Sequence, residues 1–236
     1  MPIYMFITKL RKILGIELVA VSLTEKLVAA IGGGLAILIL IVFSFWALPA
    51  AGATAVVASM GASAVLLFGV PHGQLSQPWP VIGGHGISAI IGVACARYIS
   101  QPPIAAACAV GLAIGVMHQF KCIHPPGGAT AFTAVMGGSA IHQLGFGFVI
   151  FPTLTNAIVM VLLAVIINSA FKWRRYPAIF SVPSFPSPTQ TKVAAPTHYE
   201  LVNAIKSIDS FVDISEEDLL RLTEILSRST QRQNKS

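Results

Sequence analysis

Residues 124–140 read HPPGGATAFTAVMGGSA: a histidine and two prolines opening a run of Gly, Ala, Ser and Thr inside an apolar chain. Proline belongs in the first turn of a helix, where a missing N–H costs nothing, so Pro125 predicts a helix start rather than a helix interior. Only about a dozen residues follow before Gly137–Gly138, short of the roughly 20 that a bilayer crossing needs. The stretch has an echo. Residues 49–64, PAAGATAVVASMGASA, match residues 125–140, PPGGATAFTAVMGGSA, at ten of sixteen positions, with Pro49/Pro125, Thr54/Thr130, Met60/Met136 and Ser63/Ser139 among them. The context repeats as well, which predicts an internal duplication.

Outward from this motif the chain has membrane composition. Charged residues are 10% of its 236 residues and the mean hydropathy is +0.77, against about 25% charged in globular domains. No carboxylate lies between Glu25 and Glu200, and from residue 27 to 171 the only cations are Arg97 and Lys121. That argues against a carboxylate-lined cation path and permits an anion. The net charge of +6 sits largely in flanking segments, where it suits anionic headgroups. No basic face interleaves with aromatics, so nucleic acid is not an expected partner. Without Asp or Glu there is no acid–base pair for nucleophilic catalysis, and neither enzyme activity nor a cofactor is expected. Cys95, Cys108 and Cys122 read as small buried hydrophobes.

Residues 1–26 predict an N-terminal amphipathic segment on the cytoplasmic face; the apolar stretch after Lys9, Arg11 and Lys12 is too long for a cleaved signal. The membrane part covers 27–175, with repeats at about 27–99 and 104–175. Residues 176–196 form a Pro-rich linker and 197–236 a cytoplasmic helical tail, opened by the capping pattern Thr197–Glu200. The expected fold is an all-α integral membrane protein with an internal two-fold repeat. It has four spanning helices, two Pro/Gly-initiated half-helices and a small α-helical C-terminal tail. If the half-helices are re-entrant, the positive-inside rule gathers the N-terminus, Arg97 and the Lys172–Arg175 cluster on the cytoplasmic side. If they cross fully, the halves are inverted and Arg97 lies outside. The shortness of the second one favours re-entry.

Helix N-termini carry unpaired N–H groups and a partial positive charge, and they bind small anions. Two of them facing each other would make a donor pocket from Gly52, Ala53 and Thr54 on one side and Gly127, Gly128, Ala129 and Thr130 on the other, with Ser63 nearby. His124 is a donor to the anion or a proton carrier, or else a residue that only fixes the turn. Lys121 is a charge at the pocket mouth or a snorkelling interfacial lysine. His85 and Asn156 line the pocket or hydrogen-bond between helices. Arg97 marks a helix end, and Gly111 with Gly115 a packing contact. Met117, His118, Cys122 and His124 permit a soft-metal reading, but their spacing is irregular and no carboxylate orients the imidazoles, so no metal site is expected.

The motifs HPPGGATA (124–131), MGASAVLLFGVP (60–71) and QPWPVIGGHGISAIIGV (77–93) resemble the HPP family of integral membrane proteins over about residues 25–175. The resemblance implies four spans and, from its cyanobacterial and plastid members, nitrite transport; a bacterial-type plasma membrane is the expected location, with both termini cytoplasmic by the positive-inside rule. Trp79 departs from the pattern, in which a basic or polar residue is more frequent at that position, and so removes one possible anion contact. The expectation is transport of a small monovalent oxyanion, nitrite foremost, by a homo-oligomer in the lipid bilayer. A broader anion channel, a metal-ion transporter and a structural membrane protein remain as alternatives.

Overall fold

The computed structural model describes Phe6, Leu10 and residues 21–47 and 50–180, with the side chains of 46, 47 and 50–56 outside the description. The expected N-terminal segment up to residue 20, most of the linker and the whole tail lie outside the described residues.

The elements of the described residues are all helical, with no strand among them. Helix α1 (Leu23–Ala47) is followed by α2 (Ala50–Ala64), which continues through a π-helical turn (Val65–Gly69). A short 3-10 turn (Gln74–Ser76) leads into α3 (Pro78–Tyr98), then come α4 (Pro102–Gln119), α5 (Pro125–Met136) and a single turn, α6 (Ser139–His142). The last membrane segment is a kinked π turn (Val149–Leu154) running into α7 (Thr155–Ser169). Helices α3, α4 and α5 each open on proline, in the position that needs no N–H partner. Four segments are long and apolar enough to cross a bilayer: Leu23–Phe45, Pro78–Tyr98, Pro102–Gln119 and Val149–Ser169. Helices α2 and α5 are the shorter pair, as the motif predicts.

Long-range hydrogen bonds fix which ends share a face. Glu25, at the start of α1, makes a buried ion pair with Arg174 just past α7, and Trp173 donates to the same carboxylate at 3.0 Å. Arg174 also donates to the Phe68 carbonyl and to Asn168. The Tyr176 hydroxyl donates to the Ser76 carbonyl at 2.7 Å, and Trp79 at the start of α3 donates to the Phe120 carbonyl at the end of α4. One face therefore holds the starts of α1, α3 and α5 and the ends of the α2 segment, α4 and α7. Arg97 is 18 residues beyond Trp79 along α3, about 27 Å at 1.5 Å per residue, and so marks the opposite face.

That sidedness corrects the re-entrant arrangement. Helix α2 starts three residues after α1 ends and, with its π turn, gives an unbroken 20-residue run over 50–69, about 30 Å. It brings Phe68 back against Gly32 and Gly33, in the first half of α1. In the second half, α5 runs inward parallel to α3, residues 137–148 lead on, and the final segment returns. The two halves thus run three segments each in opposite sense, and Arg97 does not join the Lys172–Arg175 cluster. That cluster is not a uniform anchor either: Arg174 is fully buried in its ion pair, while Lys172 and Arg175 are exposed.

The tightest packing is between α3 and α5. Gly84, Ser88 and Gly92 recur at a spacing of four along α3 and face Gly127 and Ala131 of α5. A Cβ on Gly92 would sit 2.7 Å from the Ala131 carbonyl oxygen and from the Ala134 Cβ, and one on Gly127 would sit 2.8 Å from Ser88 Oγ. This is the small-residue packing by which membrane helices approach closely. By contrast, Gly111 and Gly115 face open space within this chain, so their expected packing contact is not made inside the described residues.

Two outcomes follow from these contacts. Gly92→Ala should destabilise the protein in detergent by about 1–3 kcal/mol through overpacking, whereas Gly111→Ala should be neutral or stabilising by about 0.5–1 kcal/mol; thermal unfolding monitored by fluorescence checks both. Cysteines placed at Arg97 and Lys121 should react with a membrane-impermeant maleimide from opposite sides of oriented vesicles. Labelling of both from one side contradicts the sidedness.

Candidate functional site

Against the α3–α5 seam lies a buried polar centre in otherwise apolar surroundings. Ser63, one residue from the end of α2, has its Oγ 2.8 Å from His85 Nε2 on α3 and 2.9 Å from His124 Nε2 at the N-cap of α5. His85 Nδ1 is 2.7 Å from Thr130 Oγ1 on α5, and His124 Nδ1 is 2.8 Å from the Leu75 carbonyl oxygen. The two imidazoles meet edge to face with centroids 5.0 Å apart. Ser63, His85 and His124 are fully inaccessible and Thr130 is 2% exposed. Elements from both halves of the chain meet here.

The placement follows from local sequence. Proline fixes the start of α5, so His124 immediately before it takes extended backbone (φ −142°, ψ 102°) and its ring turns back into the protein. Gly84 makes room for it: a Cβ there would lie 2.6 Å from His124 Cβ. Thr130 stands six residues after His124, less than two turns along α5, and so reaches the other end of the His85 ring.

Proton positions in the neutral centre follow from one fixed acceptor. A carbonyl can only accept, so His124 Nδ1 carries hydrogen toward Leu75 and Nε2 is the acceptor. Ser63 then donates to His124 Nε2 at 2.9 Å in preference to the Ser59 carbonyl at 3.3 Å, His85 Nε2–H donates to Ser63 Oγ, and Thr130 donates to His85 Nδ1. The two rings hold opposite tautomers, and every ring nitrogen has a partner.

Of the expected site residues, the structure brings together Ser63, His85, His124 and Thr130. It sets the others apart. Gly52, Ala53 and Thr54 lie in the first turns of α2, at the Arg97 face, while α5 starts at the Glu25 face; the two helix N-termini do not face each other. The α5 N-terminus is also poor in free donors. Pro125 and Pro126 have no N–H, and the Gly127 N–H bonds back to the His124 carbonyl at 2.8 Å. The backbone-amide pocket expected at Gly127, Gly128 and Ala129 is therefore not formed there: Gly127 packs on α3, Gly128 faces Val110 of α4, and Ala129 is exposed.

Lys121 is exposed, in a left-handed turn (φ 53°) that closes α4 through bonds from Lys121 N to the His118 carbonyl and from Cys122 N to the Met117 carbonyl. Asn156 donates to Ser44 Oγ across the α7–α1 contact at 3.1 Å, the interhelical role, while its Oδ1 and the Thr153 hydroxyl have no partner. Met117, Cys122 and His124 are buried but His118 is exposed, and no group of three His, Cys, Asp or Glu able to hold a metal occurs among the described residues. Trp79 caps the end of α4 rather than facing the centre.

Sequence reasoning missed the Leu75 carbonyl, which sets the tautomers, and the Glu25–Arg174 pair, whose partners are 149 residues apart. It also passed over the Gly84–Ser88–Gly92 spacing, which is plain in GGHGISAIIG.

No solved structure matches this chain. Two proteins of Dictyostelium discoideum do, each known only as a transmembrane protein. Transmembrane protein DDB_G0273707/DDB_G0273361 is 41% identical over 126 residues, and transmembrane protein DDB_G0269096 is 41% identical over 125. The matches cover 52% and 51% of this chain but 40% and 44% of those proteins, so the chain spans less than half the length of the relatives it matches. The profile described as HPP, transmembrane region, matches residues 19–177, nearly the whole helical part described above, and the chain belongs to the HPP family of membrane proteins.

Proposed function

We propose that this protein moves a small monovalent oxyanion, nitrite foremost, across the bilayer, with Ser63, His85, His124 and Thr130 at the centre of the path. The observation that carries this reading is a fully buried cluster of two imidazoles and two hydroxyls, with no carboxylate from residue 27 to 171. Polar side chains within a membrane are expensive and mark ion and substrate pathways. Here they sit where segments of opposite sense meet, as binding sites do between the inverted halves of secondary transporters. Imidazole and hydroxyl donors suit an oxyanion, and the lack of Asp and Glu spares it repulsion. Nitrite is the substrate suggested by resemblance to cyanobacterial and plastid members of the family. The same reading assigns no enzymatic chemistry to the chain and takes both termini as cytoplasmic, by the positive-inside rule.

Lys121, exposed one short turn before His124, gathers anions at the Glu25 face. Its left-handed backbone makes glycine the informative replacement: Lys121→Gly removes the charge and relieves about 1 kcal/mol of strain.

Purified protein in proteoliposomes should take up nitrite saturably, with nitrate, formate and chloride as competitors. Thr130→Val should reduce uptake at least tenfold in folded protein. Lys121→Gly should slow uptake at low ionic strength, with the difference shrinking as salt rises. No flux of any of these anions through correctly inserted protein overturns the reading.

A further inference from the structure

We propose that Thr130, His85, Ser63 and His124 form a proton-transfer chain that lodges one proton on His124, so that an anion enters the centre together with a proton. The claim rests on the anion reading for the identity of the passenger, while the chain itself stands on geometry alone.

The network has one neutral arrangement in which every imidazole nitrogen and hydroxyl hydrogen is paired, described above, and three that hold one more proton, because Ser63 can also donate to the Ser59 carbonyl at 3.3 Å and Thr130 to the Pro126 carbonyl. In the one proposed here, His124 carries hydrogen on both nitrogens, donating from Nδ1 to the Leu75 carbonyl and from Nε2 to Ser63 Oγ. Ser63 then donates to His85 Nε2, and His85 Nδ1–H donates to Thr130 Oγ1. Thr130 turns its hydrogen to the Pro126 carbonyl, 3.5 Å away. This arrangement and the neutral one share the same heavy-atom contacts and differ by one proton and the sense of the chain.

The passage between them balances. A hydronium ion gives a proton to Thr130 Oγ1 and leaves as water, while the original Thr130 proton passes to His85 Nδ1. The His85 Nε2 proton passes to Ser63 Oγ, and the Ser63 proton passes to His124 Nε2. Three O–H or N–H bonds break within the chain and four form, the fourth proton being the hydronium's. One positive charge ends on His124. Polarised relays of this kind are a known use of buried histidine in membranes.

The coupling follows from what surrounds the rings. The rings themselves bond to Ser63 from α2, Thr130 from α5 and the Leu75 carbonyl, and packed on these residues and on the glycines beside the rings are Ser59 from α2, Ser88 from α3, Met117 from α4, Leu154 from the last segment and Cys122, whose Cβ packs at Gly83. Among the described residues none of the hydrogen-bond partners of either ring is charged, Lys121 is exposed, and Glu25 is committed to Arg174. A lone cation in this setting is costly without a counter-ion. The permanent charges of the described residues offer none, so a monovalent anion fills that role.

Solid-state NMR of protein with 15N-labelled histidine in liposomes tests the chain directly. At neutral pH His85 should show the Nε2–H tautomer and His124 the Nδ1–H tautomer. Acidification in the presence of sodium nitrite should convert His124 to imidazolium and turn His85 to Nδ1–H in the same transition. The same tautomer in both rings at neutral pH, or His85 charging while His124 stays neutral, overturns the proposal. In Ser63→Ala the two changes should separate, whereas Ser63→Thr should keep them linked. With pyranine trapped inside proteoliposomes, one proton should enter per nitrite. Nitrite flux with no proton entry ends the relay and leaves the anion reading standing. Opposite tautomers and linked protonation with no nitrite flux end the anion reading and leave the relay.

Discussion

The close approach of α3 and α5 is the constraint on which the rest of the molecule depends. In lipid, helices gain nothing by hiding apolar side chains from one another, so association relies on packing and on interhelical hydrogen bonds. Gly84, Ser88 and Gly92 let the α5 backbone come near enough that no Cβ would fit at Gly84, Gly92 or Gly127. Only at that separation do His85 on one helix and Thr130 on the other reach hydrogen-bond distance, with His124 turned in beneath them. Ser63 then closes the gap between the two rings from α2. The seam also explains why α5 can be short: it lies against a full-length parallel helix rather than against lipid on every side.

A second constraint acts at the membrane boundary. The Glu25–Arg174 pair ties the first segment to the last, with Asn168, Trp173 and the Phe68 carbonyl as further partners. Buried pairs of this type contribute little net stability, but removing one partner leaves an uncompensated charge and costs about 3–5 kcal/mol. Its geometric effect is to hold the Val65–Ser76 stretch in place between α1 and α7. That stretch presents the Leu75 carbonyl, the backbone acceptor of a ring nitrogen from which the tautomers of the neutral histidine centre follow.

Much of this was legible in the sequence, for identifiable reasons. Proline at 125 announced a helix start, and hydropathy announced the long spans, because both are local properties. Ser63, His85, His124 and Thr130 all stood out as polar residues in an apolar chain. What they do to one another did not, because partners 22, 45 and 61 residues apart are set by tertiary contact. The donor pocket failed on a point the sequence did contain: two adjacent prolines remove two of the N–H groups that an anion would need at the α5 start. The mutual orientation of the two GATA helices was harder to read. Composition fixes neither the direction of a short helix nor the continuation of α2 through a π turn to Gly69, and those two features decide on which face Arg97 lies. The duplication suggested by residues 49–64 and 125–140 also does not carry equivalent chemistry. Ser63 is at the centre, whereas Ser139 is exposed at the start of α6.

The central claim is that helices from both halves of the chain close on one cooperative hydrogen-bonded centre through Ser63. A double-mutant cycle between Ser63→Ala and His124→Phe, read as unfolding free energy in mixed micelles, tests it most directly. The two substitutions should be coupled by about 0.5–3 kcal/mol, as residues of one network are. Additive effects, within about 0.5 kcal/mol, would mean that Ser63 and His124 act independently and would contradict the account.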